Sequence, residues 1–290
     1  MNLKQFMALA RVPTLTATAV PVLVGGALGY SAGKFNLFAW LDIFAVALLM
    51  QVATNAMNEY GDYRHAIDTT PGPGFAGIIV SKEVSAREVL LTASGCYAVA
   101  FFLGIILVLL RGTIMLLLGS VAILAGILYS EGPLPISSTP FGEAMVGLVM
   151  GFIEVVSANL AASGEISSLA IVFSVPVSLT VTAILLANNI RDLDKDRAHG
   201  RRTLAVVIGR RWGVILLFSL IMSAFIWSIP AFLLFPPSAS IFLVWLAFPL
   251  ALKSYSYLAK DPTWHKSVPM IARLHMVFGA LLAISILLRV

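Results

Sequence analysis

Charged residues are scarce in this chain. Only 11% of its 290 residues are Asp, Glu, Lys or Arg, whereas 59% are hydrophobic, and the mean hydropathy is +0.96. In an average soluble domain about a quarter of the residues are charged. The composition therefore excludes an ordinary soluble domain and predicts an integral membrane protein, with the lipid bilayer as its first partner.

Cysteine is also nearly absent. The single cysteine, Cys96, lies within an apolar stretch, which excludes an intrachain disulfide framework and a multi-cysteine metal site. The net charge of +5 does not indicate nucleic acid as a partner. The basic residues stand in short segments between apolar runs, where an excess of cations reports membrane topology.

Apolar runs of about 17 to 25 residues, the length that crosses a hydrocarbon core, occur nine times. They cover approximately residues 13–31, 37–58, 88–110, 113–130, 142–161, 167–188, 213–234, 238–257 and 270–289. The predicted fold class is all-α, a polytopic membrane helical bundle with about nine transmembrane helices. The segments between spans are too short to form a separate core. Residues 1–290 are thus predicted to be one integral-membrane domain, preceded at about residues 1–12 by an amphipathic interfacial helix.

The distribution of Lys and Arg predicts the orientation of these spans. With the N-terminus in the cytoplasm, sixteen of the 19 basic residues fall on the inner side, and only Lys34, Arg111 and Arg289 fall outside. This is a strong positive-inside bias. It predicts an inner (plasma) membrane protein with cytoplasmic N-terminus and polar loops, and with the C-terminus outside.

Two polar islands stand at the cytoplasmic ends of apolar segments. The first is Asn58-Glu-Tyr-Gly-Asp62, followed by Asp68, and the second runs from Asn188 to Asp196. Acidic residues beside the membrane are costly unless they bind something. Four-residue steps, such as Asn58 to Asp62, place side chains along one face of a helix. The islands therefore predict two facing rows of oxygen ligands.

The chemistry of these residues indicates a metal-bound diphosphate. Mg²⁺ prefers carboxylate oxygens together with substrate phosphates, and nearby Lys and Arg side chains contact phosphate directly. The apolar surroundings favour a lipid chain as the organic part of the ligand, and a prenyl diphosphate meets both demands. A cation-coupled transporter is the alternative from another class, with Glu154 inside a span. Transport sites lie near the membrane midplane, however, whereas both islands lie at the ends of spans.

The two islands resemble the aspartate-rich motifs of the UbiA superfamily of intramembrane aromatic prenyltransferases. The second island reads Asn188-Asn-Ile-Arg-Asp192-Leu-Asp-Lys-Asp196 and is followed by Gly200-Arg-Arg-Thr-Leu204. Together with Tyr129-Ser-Glu-Gly-Pro133 and Gly142-Glu143, it is most similar to the branch that prenylates 1,4-dihydroxy-2-naphthoate in menaquinone synthesis. The resemblance covers nearly the whole chain.

This resemblance implies a bundle around a central cavity, capped by cytoplasmic loops and open laterally to lipid. It implies Mg²⁺ as the cofactor, a polyprenyl diphosphate donor and an aromatic acceptor. The implied catalytic residues are Asn58, Asp62, Asp68, Asn188, Asp192 and Asp196. Of these, the metal ligands are Asp62, Asp68, Asp192 and Asp196. The implied substrate-binding residues are Arg191, Lys195, Arg201, Lys82, Arg11 and Tyr129.

The implied reaction transfers the polyprenyl group to 1,4-dihydroxy-2-naphthoate and gives demethylmenaquinol with loss of carbon dioxide and diphosphate. Transfer to 4-hydroxybenzoate or another acceptor stays an alternative, because acceptor choice depends on the shape of the cavity. The chain departs from the common pattern twice. Glu59 stands where many members have Asp, and Asp68 follows Asp62 by six residues where many members have four.

Overall fold

A computed structural model describes residues 1–64, 77–130, 134–234, 239–260 and 266–288, and all regular secondary structure in these ranges is helical. The α-helices are α1 (Leu3–Leu9), α2 (Thr16–Ser31), α3 (Leu37–Arg64), α4 (Ala86–Arg111), α5 (Thr113–Ser130), α6 (Gly142–Val146), α7 (Glu154–Ser163), α8 (Ser168–Arg191), α9 (Leu193–Ala198), α10 (Leu204–Ile226), α11 (Ser228–Leu234), α12 (Phe248–Lys260) and α13 (Ser267–Leu287). A π-helical stretch, Gly147–Ile153, joins α6 to α7 without a break. Three short 3-10 helices are Val12–Leu15, Ile136–Ser138 and Ala239–Ala247.

The predicted helical membrane bundle is confirmed. Within the described residues, eight helical segments are long and apolar enough to cross a membrane. The remaining predicted span, 13–31, corresponds to α2, which has only 16 residues. At 1.5 Å per residue α2 is about 24 Å long, shorter than the roughly 30 Å of a typical hydrocarbon core.

The predicted start of one span was wrong. Span 213–234 was placed after the charged pair Arg210 and Arg211, but α10 already begins at Leu204 and contains a kink at Gly209, where φ is 79°. Only glycine adopts such a φ readily, so the chain stays helical on both sides of the bend. The predicted span 238–257 agrees with the helical segment Ala239–Tyr257. Its Pro249 lies in the first turn of α12, where a missing backbone N–H is tolerated.

Small residues bring α2 and α7 into close contact. A Cβ atom on Gly25 would lie 2.6 Å from the Cβ of Ala158, and one on Gly29 would lie 2.6 Å from the Cβ of Ala162. Without a hydrophobic force between helices in lipid, such close backbone approach is a main source of attraction. The Gly25 and Gly29 spacing therefore fixes α2 against α7.

The interior of the bundle is built around α8. In its span 56% of the residues are buried, compared with 11% in the span of α5. The buried cluster around α8 includes Val24 of α2, Leu217 of α10 and Phe278 of α13. The largely exposed and apolar α4 and α5 are suited to face lipid. The second polar island, at the C-terminal end of α8, therefore stands on one of the two most buried spans among the described residues.

The N-terminal segment is helical from Leu3 to Leu9, as predicted, and it packs against protein as well as exposing apolar residues. Asn2 caps α1 and forms a capping box with Gln5, which satisfies two backbone N–H groups. Leu9 is buried against Ala56 of α3 and against Ile78 and Ile79. The segment therefore lies against the end of α3 that carries the first polar island.

Candidate active site

Arg201 joins the two acidic motifs. Its Nη2 lies 3.1 Å from Oδ1 of Asp62 at the end of α3, and its Nη1 lies 3.3 Å from Oδ1 of Asp196 in α9. Its Nε donates to Oγ of Ser138 at 3.2 Å. The guanidinium presents N–H donors in a planar fork, so one side chain holds both motifs and the segment before α6 at a single site.

Asp196 and Arg201 depend on each other electrostatically. Burial raises the pKa of Asp196, while the neighbouring Arg201 charge opposes that rise. Burial by itself would lower the pKa of Arg201, but the charges of Asp62 and Asp196 outweigh it and raise the pKa. The site therefore holds a partly buried cation whose charged form the two carboxylates stabilise.

Three other residues of the second motif are paired with one another. Arg191 donates through Nε to Oδ1 of Asp192 at 2.8 Å and through Nη2 to Oδ2 at 2.6 Å, a bidentate contact. The same Nη2 also donates to Oδ1 of Asn188 at 2.7 Å. These residues follow one another over a single turn at the end of α8, so helical spacing alone brings them together.

The first motif is held by partners from distant segments. Oδ1 of Asn58 accepts a 2.5 Å hydrogen bond from Oγ of Ser130, at the end of α5. Asn55, one turn earlier, donates through Nδ2 to the carbonyl of Ala10 at 2.9 Å. The first motif is thereby fixed to both α5 and the N-terminal segment.

Glu59, the departure from the common motif, ties three segments together. Its side chain is 2% exposed. Oε2 accepts from the backbone N–H of Gly77 at 3.2 Å, Oε1 accepts from that of Ile79 at 3.3 Å, and Arg11 lies 3.5 Å from Oε2. The carboxylate is therefore occupied by two backbone donors and one cation from the N-terminal segment, whereas Arg11 was predicted to bind substrate.

Tyr129 lies within the same charged group. Its phenol is within electrostatic range of Glu143, Arg201, Arg11 and Asp62. Two other predicted contacts, Lys195 and Lys82, have exposed side chains. Lys82 stands at a turn with a positive φ of 60°. Asp68 lies outside the described residues, so its predicted place in the site stays a prediction, as does the central cavity.

The donor set fits Mg²⁺ in type. Asp62, Asp192 and Asp196 offer carboxylate oxygens, and Asn58 and Asn188 offer amide oxygens, the hard ligands that this ion prefers. In the described part of the chain, no three His, Cys, Asp or Glu side chains stand close enough to form a ready metal cage. The oxygens of Asp62, Asp192 and Asp196 are engaged by Arg201 and Arg191.

Two residues of the site were not assigned a role from the sequence. Ser138 accepts from Arg201 and, through its carbonyl, from the backbone N–H of Arg202 at 2.9 Å. Asn189 donates through Nδ2 to Oε1 of Glu143 at 2.9 Å, and both residues are buried. The sequence pointed to the contact between Asn189 and Glu143 only through the motifs Asn188-Asn189 and Gly142-Glu143, and it gave no signal for Ser138.

The sequence matches the family described as the UbiA prenyltransferase family over residues 18–277. The chain belongs to the UbiA prenyltransferase family. It is therefore an integral membrane enzyme that transfers prenyl groups, and the transporter alternative is set aside. This assignment confirms the family resemblance carried by the two acidic motifs.

Two curated relatives in the UbiA family share a name. The chain is 34% identical over 283 residues to 1,4-dihydroxy-2-naphthoate octaprenyltransferase of Bacillus subtilis, which covers 97% of this chain and 91% of that protein. It is 27% identical to the Escherichia coli protein of the same name, covering 94% of this chain and 90% of that one.

Solved structures of UbiA homologues share the fold. The apo homologue from Aeropyrum pernix aligns with a TM-score of 0.70 at 21% identity, covering 94% of this chain and 97% of that one. A homologue from Archaeoglobus fulgidus, solved bound to GPP and Mg²⁺, aligns with a TM-score of 0.66 at 16% identity, covering 96% of this chain and 99% of that one. At these identities the similarity supports the architecture of the bundle.

Proposed function

We propose that this UbiA enzyme transfers a polyprenyl group from polyprenyl diphosphate to 1,4-dihydroxy-2-naphthoate, giving demethylmenaquinol with loss of carbon dioxide and diphosphate. The observation that carries the proposal is the meeting of Asp62 and Asp196 on Arg201. It brings two oxygen-rich motifs and a partly buried cation to one point at the ends of apolar helices. The naphthoate acceptor is favoured by the name of the Bacillus subtilis relative, which is 34% identical.

In this proposal Asp62, Asp192 and Asp196 bind Mg²⁺, together with Asp68, while Asn58 and Asn188 complete the two motifs. When bound, Mg²⁺ would neutralise the diphosphate and stabilise the charge that grows on it as the allylic bond breaks. The Arg191, Lys195, Arg201 and Lys82 side chains would contact the diphosphate oxygens. Cations aimed at a leaving group stabilise the transition state more than the bound substrate.

The apolar walls of the bundle would serve the organic half of the reaction. In this proposal the apolar helices would enclose the polyprenyl chain and keep water from the reactive allylic group. Tyr129 and Arg11 would complete the substrate site on the side of α5 and the N-terminal segment. The active site would open to the cytoplasmic side of an inner membrane.

One experiment tests both the proposed acceptor and the alternative acceptor, 4-hydroxybenzoate. The purified protein would be given radiolabelled polyprenyl diphosphate and Mg²⁺, with dihydroxynaphthoate and 4-hydroxybenzoate in parallel. We expect prenylated, decarboxylated naphthoquinol from the first acceptor only. Product from 4-hydroxybenzoate alone would refute the naphthoate acceptor while keeping prenyl transfer.

Metal dependence is tested separately. We expect EDTA to stop product formation and added Mg²⁺ to restore it, because the diphosphate and the acidic motifs repel each other without a cation between them. Binding of radiolabelled donor to the purified protein, measured with and without EDTA, would show the same dependence. Activity and donor binding that resist the chelator would contradict the metal-diphosphate site.

A further inference from the structure

Glu143 is a buried carboxylate with one oxygen held and one oxygen without a partner. It is 3% exposed and lies in the first turn of α6. Asn189 donates to its Oε1 at 2.9 Å, whereas its Oε2 is buried and has no hydrogen bond. Among the described residues no Lys, Arg or His lies within ion-pair distance of Glu143.

Such an oxygen needs a donor. A buried carboxylate that lacks a partner loses its hydration without replacement. The group is satisfied either by carrying a proton on Oε2 or by accepting a hydrogen bond there. It is therefore suited to bind a hydroxyl group and to take its proton.

Glu143 belongs to the active site by its connections. Ser138, five residues earlier, accepts from Arg201, and Asn189 adjoins Asn188 of the second motif. Tyr129 is within electrostatic range of both Glu143 and Asp62. Glu143 therefore lies beside the acidic motifs, on the segment that fixes Arg201.

The charge of Glu143 distinguishes its ligand from the diphosphate. A carboxylate without a cation partner repels a phosphate, so the free Oε2 does not suit the donor's diphosphate. The other substrate of a UbiA enzyme of the proposed kind is an aromatic ring with hydroxyl groups. Its O–H is the kind of donor that Oε2 lacks.

We propose that Glu143 is a catalytic residue that binds a ring hydroxyl of the aromatic acceptor through Oε2 and takes its proton as the new carbon–carbon bond forms. This inference rests on the proposed function. The hydroxyl electron pair moves into the ring, the ring carbon bonds to the allylic carbon, and the allylic C–O bond breaks with its electrons leaving on diphosphate. Loss of carbon dioxide returns an electron pair to the ring and its oxygen, which recovers the proton from Glu143.

The test compares Glu143→Gln with Glu143→Asp. Gln keeps the length and can hydrogen-bond to Asn189, but it does not accept the proton, whereas Asp keeps the carboxylate and is one methylene shorter. We expect product formation to fall at least ~10²-fold in Glu143→Gln, the usual contribution of a general base, and to fall less in Glu143→Asp. Equilibrium binding of radiolabelled donor with Mg²⁺ should stay within about threefold of the unsubstituted protein in both variants.

Glu165→Gln is the matched control. Glu165 follows α7 beyond the far end of the same helical run, with a side chain that is 55% exposed and paired to Lys34 at 3.0 Å. We expect no change in its product formation or donor binding. The same Glu-to-Gln change is thus tested at both ends of one run.

The reverse order of activities would overturn the proposal. A purely structural Glu143 predicts that Gln, which preserves size and hydrogen bonding, outperforms Asp. A parallel loss of donor binding in both variants would likewise assign Glu143 to the donor side. If the unsubstituted enzyme does not prenylate dihydroxynaphthoate, the proposed acceptor is refuted. The activities of the two variants are then compared on the hydroxylated acceptor that the enzyme does prenylate. Absence of product from every hydroxylated acceptor would refute both.

Discussion

The two acidic motifs of this enzyme are held in different ways. In the second motif two carboxylates find a partner within five residues: Arg191 adjoins Asp192, and Arg201 follows Asp196 by five residues. In the first motif the partners come from far away, as in the bond from Ser130 to Asn58, which are 72 residues apart. The second motif is a local unit at the end of a helix, whereas the first depends on the assembled fold.

This difference has a thermodynamic consequence. Local contacts within a helix cost little loop entropy and form wherever the helix forms. The contacts of the first motif exist only when α3, α5 and the N-terminal segment have come together. We therefore expect substitutions in the first motif to lower stability more than those in the second motif.

The largest loss of turnover is expected from replacing the aspartate that each motif contributes to the proposed metal site. We predict that Asp62→Asn and Asp192→Asn each lower turnover by more than ~10³-fold, because each removes a carboxylate that the proposed metal-diphosphate site requires. Turnover would be measured in detergent with Mg²⁺ and radiolabelled donor.

Size-exclusion profiles and thermal unfolding would establish that both variants are intact. If one variant turned over like the unsubstituted enzyme, its motif would have no part in the metal site, and the equivalence of the two motifs would be lost.

An intermediate effect is expected at Arg201, where the motifs meet. Arg201→Lys should lower turnover ~10²-fold, because a single ammonium does not reproduce the fork that reaches Asp62, Asp196 and Ser138 together. A double-mutant cycle with Asp62→Asn measures the coupling between them. Fully additive losses would show that the contact between Arg201 and Asp62 has no energetic role.

The sequence was most informative where structure is local. Asn188 and Asp192, which four-residue spacing predicted on one face, both contact Arg191, because the helix alone determines their relation, whereas Asp196, predicted on the same face, lies in the separate α9. Apolar runs predicted the long helices for the same reason. The short α2 and the early start of α10 were missed, because packing of small residues and a glycine kink decide those boundaries.

The roles of Glu59, Ser138 and Asn189 were not predictable from the sequence. Their partners are the backbone of residues 77–79, Arg201 and Glu143, none of which is close in sequence. From the sequence Glu59 was only a departure from the common motif, whereas in the structure its oxygens accept hydrogen bonds from backbone N–H groups. Only the tertiary arrangement distinguishes a carboxylate that holds segments together from one that faces a substrate.

The smallest effect on turnover is expected from Glu59→Gln and Asp194→Asn. This pair also tests directly whether the first motif depends on distant partners more than the second does. Glu59 is 2% exposed, and Asp194, in the second motif, has an 80% exposed side chain paired to Arg210 at 2.9 Å. Glu59→Gln turns an NH₂ group toward backbone donors and should lower the free energy of unfolding by ~1–3 kcal/mol. Asp194→Asn should change it by less than ~0.5 kcal/mol, as expected for an exposed ion pair. Thermal unfolding in detergent compares them directly, and equal midpoints would show that the first motif does not depend on its distant partners.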